Sequence, residues 1–325
     1  MKAKTILRTI MAVLAIIVAT FSYAHDTPEV SVAMAVALNE MAEKELIKHF
    51  RHKGTWLERV PSKNKWVNND VIKLTEIGAD PDVLINNNTY PIPISSRTDD
   101  SVAISLYKYD TENTRITDDE VYALPYDKAG SVQEQHRETL EEKTEEHALH
   151  SLAPSANTAD TPIIETTGDD DGNGRLRLRS QDLINYKKTL DDLKIPKAGR
   201  ILVLSSEHVA DLLIEDKALE RQYQNHTDGM IAKNYYGFEI YESNYSPVYD
   251  GSLNKIAFDS VTPGSSASVL FHTKTTGKAR GSVKRYLAKS DDDPQNRETV
   301  VGFRLYFLAI PLRAKGQGAI VSGTP

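Results

Sequence analysis

From Asp127 to Leu152 the chain runs DKAGSVQEQHRETLEEKTEEHALHSL, 26 residues without a proline. As one helix this stretch would extend about 39 Å. Its apolar positions are sparse: Ala129, Val132, Leu140, Ala148, Leu149 and Leu152. Against them stand seven acids (Asp127, Glu134, Glu138, Glu141, Glu142, Glu145, Glu146) and three bases (Lys128, Arg137, Lys143). A helix this polar does not sit inside a core. It lies across a surface, with one narrow stripe buried and an acidic face turned to solvent. His147 and His150 are three apart and share a face. With Glu146 they could ligate a metal, but one helix offers too few ligands for a closed site, and surface histidines are the simpler reading.

N-terminal to this stretch, residues 66–125 read as extended. Trp66-Val67 and Val71 to Leu74 are short β-like runs, and Val102, Ile104 and Leu106 alternate with Ala103, Ser105 and Tyr107, the period of a half-buried strand. Asn86-Asn87-Asn88 marks a turn, and Pro91 and Pro93 keep their stretch out of a central strand. This long β excursion has too few apolar residues for a core of its own. Further upstream, Val32 to Phe50 has near-helical apolar spacing, ended by Pro61 and its polar neighbours. Met1 to Ala24 has the three parts of a secretory signal: Lys2, Lys4 and Arg8, an apolar run from Ile10 to Phe21, then Ser22-Tyr23-Ala24.

C-terminal to it, Pro154 to Gly174 is a linker rich in Ser, Thr, Pro, Gly and Asp. An α/β pattern follows. Ser180 is placed to cap a helix bearing Leu183, Ile184, Leu190 and Leu193, stopped before Pro196. Ile201 to Leu204 is a buried-strand pattern, and Ser205 or Ser206 starts a second helix. Gly237 to Tyr241, Ala267 to His272 and Val300 to Ile310 read as further strands, the last the longest.

The whole chain has 325 residues, enough for two domains and a substantial core, with 26% charged and 40% hydrophobic residues. A net charge of −7 argues against general attraction to nucleic acid. Zero cysteine excludes disulfides, cysteine-ligated zinc, iron–sulfur clusters and thiol nucleophiles. No phosphate-binding glycine loop, nucleophile elbow or zinc-protease helix is present. Ser206 and His208 are two apart, which does not bring side chains together on a helix.

Two charged runs remain. Asp169, Asp171 and Asn173 fall at positions one, three and five of a calcium-type loop, with Gly174 at six. The twelfth position, which should be a bidentate Glu, is Ser180, so a flexible acidic turn is the better reading. Lys274, Lys278, Arg280, Lys284, Arg285 and Lys289 form a basic run with Asp291-Asp292-Asp293 just after it. It lacks stacking aromatics beyond Tyr286 and reads as a strand or hairpin. Complementary charge could instead dock it on another subunit's acidic helix, with Glu138, Glu142, Glu145 and Glu146 facing Lys278, Arg280, Lys284 and Arg285.

The order of parts carries a likeness. Tyr126-Asp127-Lys128 opens the long helix, with Ser131-Val132 and Gln135-His136 after it. Ile195-Pro196-Lys197-Ala198-Gly199-Arg200-Ile201-Leu202-Val203-Leu204-Ser205 precedes a helix. Gly302-Phe303 to Ile310 is followed by Gly316-Gln317-Gly318-Ala319. This set resembles the major capsid proteins of tailed bacteriophages, the Hong Kong 97-like fold, and in particular those of Bacteroidetes phages and prophages. The resemblance implies an α+β fold in six segments. Residues 1–24 are signal-like or a misassigned start, 25–65 an N-terminal arm and 66–125 an extended β loop lying on a neighbour. Residues 126–174 would be the spine helix and linker of a peripheral domain, 175–265 an α/β axial domain, and 266–325 the return strands and C-terminus. It also implies a non-enzymatic structural protein without catalytic residues or cofactor. Such a protein self-assembles through hexamers and pentamers into an icosahedral shell around DNA, with scaffolding or portal proteins as partners. It is built in the host cytoplasm, resides in the virion and has no membrane partner once assembled. On the residues alone the alternative is a periplasmic or secreted α/β binding or adhesion protein, cleaved after Ala24.

Overall fold

The computed structural model describes residues 55–68, 70–76, 86–88, 90–92, 100–117, 119, 128–225, 234–290 and 295–325. The signal-like segment, the 32–50 helix and Asp291 to Asp293 lie outside them.

The spine helix α1 spans Lys128–Leu152. Val132, His136, Leu140, Thr144, Ala148 and Leu152 are its buried positions at a constant step of four, joined by Leu149 at the C-terminal end. Four residues overshoot one turn by about 40°, so the seam winds around the helix instead of running straight. This suits the surface it meets, because paired strands twist. That surface belongs to a four-stranded sheet, and the helix meets its ribbon of β12 (Thr276–Ala288) and β13 (Glu298–Pro311), the longest strand among the described residues. Val301, Phe303, Leu305, Phe307 and Ala309 turn one face of β13 into a core shared with Leu140, Ala148, Leu149 and Leu152. Its other face meets Ile72, Leu106 and Ala279 through Leu308, with Tyr306 and Ile310 alongside.

A seven-stranded sheet forms the second layer. Its order is β6 (Ile163–Glu165), β14 (Gln317–Val321), β11 (Ser265–His272), β7 (Arg200–Ser205), β9 (Phe238–Ser243), β8 (Asn234–Tyr235), with β10 (Val248–Tyr249) also on β11. The β7 run is buried at every position because both its faces are covered. Leu202, Leu204, Leu270 and Ile320 face α2 (Ser180–Asp192), α3 (Ser206–Glu215) and α4 (Lys217–Asn225). Ile201, Val203, Val269 and Phe271 face the other way, into the core containing the end of α1 and the ribbon. One core therefore joins the two sheets. The segment expected to return to a peripheral domain supplies β11 and β14 to this sheet, and the linker supplies β6, paired in parallel with β14.

The β excursion divides. Strands β1 (Val67–Asn68), β2 (Val71–Glu76) and β3 (Asp100–Ser105) form a separate antiparallel sheet. Strands β4 (Tyr107–Asp110) and β5 (Thr114–Thr117) instead pair with β13. Its root is thus held by the main body, and Ile72 and Leu106 are buried there.

The helix starts show which residue does the capping. Ser205 lies before α3, and its hydroxyl accepts from the His208 amide at 3.4 Å. Ser180, expected as a cap, is the first residue of α2. The buried Asp182 carboxylate caps instead, accepting from the Arg179 and Thr167 amides, both at 3.1 Å.

Candidate functional site

The surface of α1 opposite the buried seam carries Glu134, Glu138, Glu142 and Glu146, also four apart and two residues out of phase with the seam. Two residues turn a helix by about 200°, so this row follows the seam on the far side. Glu134 accepts from Arg137 at 3.1 Å and Glu146 from Lys143 at 2.9 Å. Glu138 and Glu142 are exposed, and Glu145 is half-buried. Like charges at this spacing each cost a few tenths of a kcal/mol.

The basic run does form a strand, β12. Its four interface candidates do not share one environment. Lys278 is half-buried and donates to the Leu57 carbonyl at 2.7 Å, and burial lowers its pKa. The Arg280 backbone amide donates to Asn64 Oδ1 at 2.9 Å. Arg285 pairs in register with Phe303, so it points to the spine side. Lys284 is exposed on the opposite side, in register with Arg304, which is in register with Asp110. Arg304 donates to Asp110 at 2.6 Å and lies 5.3 Å from the Tyr286 ring centre. Arg304 and Lys108 belong to this face. Sequence spacing gave no sign of it, because they come from other strands.

The calcium-type residues are bonded within their own turn. Asp171 Oδ1 accepts from the Asn173 and Arg175 amides at 2.8 and 3.3 Å, and these bonds hold its carboxyl below the usual pKa. Asp169 pairs with Arg179 at 2.7 Å. Among the described residues no acidic or histidine cluster is arranged to hold a metal ion. The same applies to the helix histidines: Tyr109 OH bonds His147 Nδ1 at 2.6 Å, and His150 Nε2 bonds the Ile256 carbonyl at 2.8 Å.

His208 does not meet Ser206. It is fully buried between Ser268 Oγ at 2.6 Å and Ser322 Oγ at 3.0 Å. Burial pushes its pKa down to about 4. Both ring nitrogens are occupied and the ring has no exposure, so the arrangement is a structural tie across β11, α3 and the end of β14. Beside it, buried Asp211 accepts both Arg175 guanidinium nitrogens, at 2.7 and 2.9 Å, and the Leu178 amide at 3.0 Å.

No family model matches the sequence, and no curated protein does. Solved structures do. The capsid structure of the cyanophage P-SCSP1u matches over 85% of this chain and 90% of its own, with TM-score 0.61 and 14% identity. The capsid of Ralstonia phage GP4 matches over 82% and 87%, with TM-score 0.58 and 8% identity. A virus-like particle from Pyrococcus furiosus matches over 87% and 99%, with TM-score 0.51 and 11% identity. The long spine helix on a twisted ribbon, the seven-stranded α/β sheet and the excursion rooted on the ribbon therefore make up a Hong Kong 97-like capsid fold.

Proposed function

We propose that this chain is a shell-forming structural subunit, the major capsid protein of a tailed phage or prophage. The observation that carries this reading is the fold likeness, which takes in 85% of the chain and 90% of a phage capsid subunit. The Bacteroidetes affiliation rests on the quoted sequence likeness alone. In this reading the seven-stranded sheet with α2 to α4 is the axial domain. The spine and the β12–β13 ribbon are the peripheral domain, and β1 to β3 begin the extended loop. Copies close into hexamers and pentamers by symmetry, with scaffolding or portal proteins as partners and DNA enclosed without sequence readout. The protein then resides in the virion and its work is structural, not catalytic.

The subunit contact we propose sets the exposed Glu138 and Glu142, with Glu145 and Glu146, against the basic face around Lys284 of a neighbour. Lys278, Arg280 and Arg285 pair in register with Ala309, Phe307 and Phe303 on the spine side of β12, so they stay out of this contact. Reversing Glu138 and Glu142 to lysine slows assembly and Lys284→Glu partly restores it, as followed by light scattering at low and high salt.

The test of the main reading is negative-stain microscopy and sedimentation of the purified full chain, with mass spectrometry of its N-terminus. Particles of megadalton size support it. A monomer at all concentrations, recovered from the periplasm and cleaved after Ala24, would instead establish the exported binding protein. A variant of this reading is a compartment shell of the same fold that encloses protein instead of DNA. Nucleic acid absorbance of the particles separates the two contents.

A further inference from the structure

The C-terminal end of α1 is gripped from two sides. The segment 244–260, between β9 and β11, folds over it. Lys255 donates to the His150 and Ala153 carbonyls, both at 2.7 Å, capping the helix end. His150 Nε2 meets the Ile256 carbonyl at 2.8 Å. The Phe258 ring sits 4.9 Å from His147 and 5.5 Å from His150, with Tyr245 5.6 Å from Phe258. From the other side, at the root of the β excursion, Tyr107 places its ring 4.6 Å from His147, and the Tyr109 hydroxyl bonds His147 Nδ1 at 2.6 Å.

We infer that this joint is an acid-sensitive latch: protonating His147 and His150 frees the 244–260 segment and strand β4 from the end of the spine helix. With its own proton on Nε2, neutral His147 accepts the Tyr109 proton at Nδ1; an imidazolium can only donate there, so the bond must reverse and the half-buried tyrosine hydroxyl loses the acceptor for its proton. Lys255 already places one cation on the carbonyls at the helix C-terminus. Two imidazolium charges would then crowd a lysine whose own burial lowers its pKa to about 8. Asp259, and Glu146 beside Tyr245, are the acids facing the joint, and Lys143 is drawn to both. Burial raises the pKa of the Tyr109 hydroxyl, so it brings no charge near neutrality. Burial first, and then repulsion from charged neighbours, hold His147 below its ordinary value of 6.5; burial does the same for His150, against the bond to the Ile256 carbonyl, which favours its charged ring. Groups lowered in the closed state favour closure above that value, and the preference is lost as pH falls through it.

The experiment is hydrogen exchange with mass spectrometry on the unassembled full chain, corrected for the intrinsic pH dependence of exchange. Between about pH 7.5 and about pH 5, opening of 107–110 and 244–260 rises roughly tenfold or more relative to β7. The double variant His147→Gln/His150→Gln can still accept from Tyr109 and donate to Ile256, and it shows no such rise. An equal acid response in both proteins, or none in the wild type, overturns the inference. Should the variant fail to fold, NMR titration of the wild-type imidazoles decides. Midpoints below 6.5 that track the opening support the latch, and midpoints at or above it refute it.

Discussion

Replacing Leu152 with alanine tests whether the two sheets share one core. Leu152 has no exposure and packs in the cluster that holds Val269 and Phe271 from the large sheet and Leu305 and Phe307 from the ribbon. Its carbonyl also accepts from the buried Gln317 side chain of β14 at 3.2 Å. Neither sheet can slide into the gap without breaking its own ladder, so the site collapses poorly. A buried Leu→Ala change in such a place costs about 3 kcal/mol. For a body of this size that lowers Tm by about 6–12 °C. Calorimetry and near-UV circular dichroism of the purified monomeric chain measure it. The outcome expected is one transition, shifted as a whole, because the loss belongs to both sheets. Two separate transitions, with the large sheet melting at its original temperature, would refute the shared core.

Three further outcomes follow from the geometry. His208, held at about 4 against an ordinary value of 6.5, stabilises the fold fully above 6.5 and loses that contribution as pH falls towards 4. About 3 kcal/mol of acid sensitivity disappears in His208→Gln, as read by urea melts across that range. Asp211→Asn removes the charge from the bidentate bond to Arg175 and leaves a mostly buried guanidinium underpaired; a loss of about 2–4 kcal/mol is expected, and a change near zero would count against it. Gly318→Ala drives a methyl group into the Tyr186 hydroxyl and the Pro162 carbonyl. Those atoms bond each other at 2.9 Å, so the variant is destabilised by about 2 kcal/mol or more in thermal melts.

What the sequence revealed was local. The 201–204 run announced a buried strand because both its faces are apolar, and the spine announced itself by length and charge. Pairings across long separations were not legible. Strand β6 has three residues inside a Ser/Thr/Pro/Gly-rich linker, too short to show a period. The partners of His208 lie 60 and 114 residues away, where no spacing rule reaches. Nothing in the sequence marks Lys255 as the cap of a helix end whose carbonyls lie 102 and 105 residues away. Likewise the basic run looked uniform in sequence, yet β-pairing sends alternate residues to opposite sides and leaves Lys284 exposed on one of them.

The winding seam of α1 has a mechanical meaning. Helix and ribbon are related as a screw to its nut: sliding the helix by one thread, about 6 Å, must also turn it by about 40°. The threads are not interchangeable, since Val132, His136, Leu140, Thr144, Ala148 and Leu152 differ in bulk and polarity. A slipped thread would set a threonine where a leucine had been. A torque applied to the ribbon therefore cannot be relieved by slippage; it must twist the helix and the ribbon together.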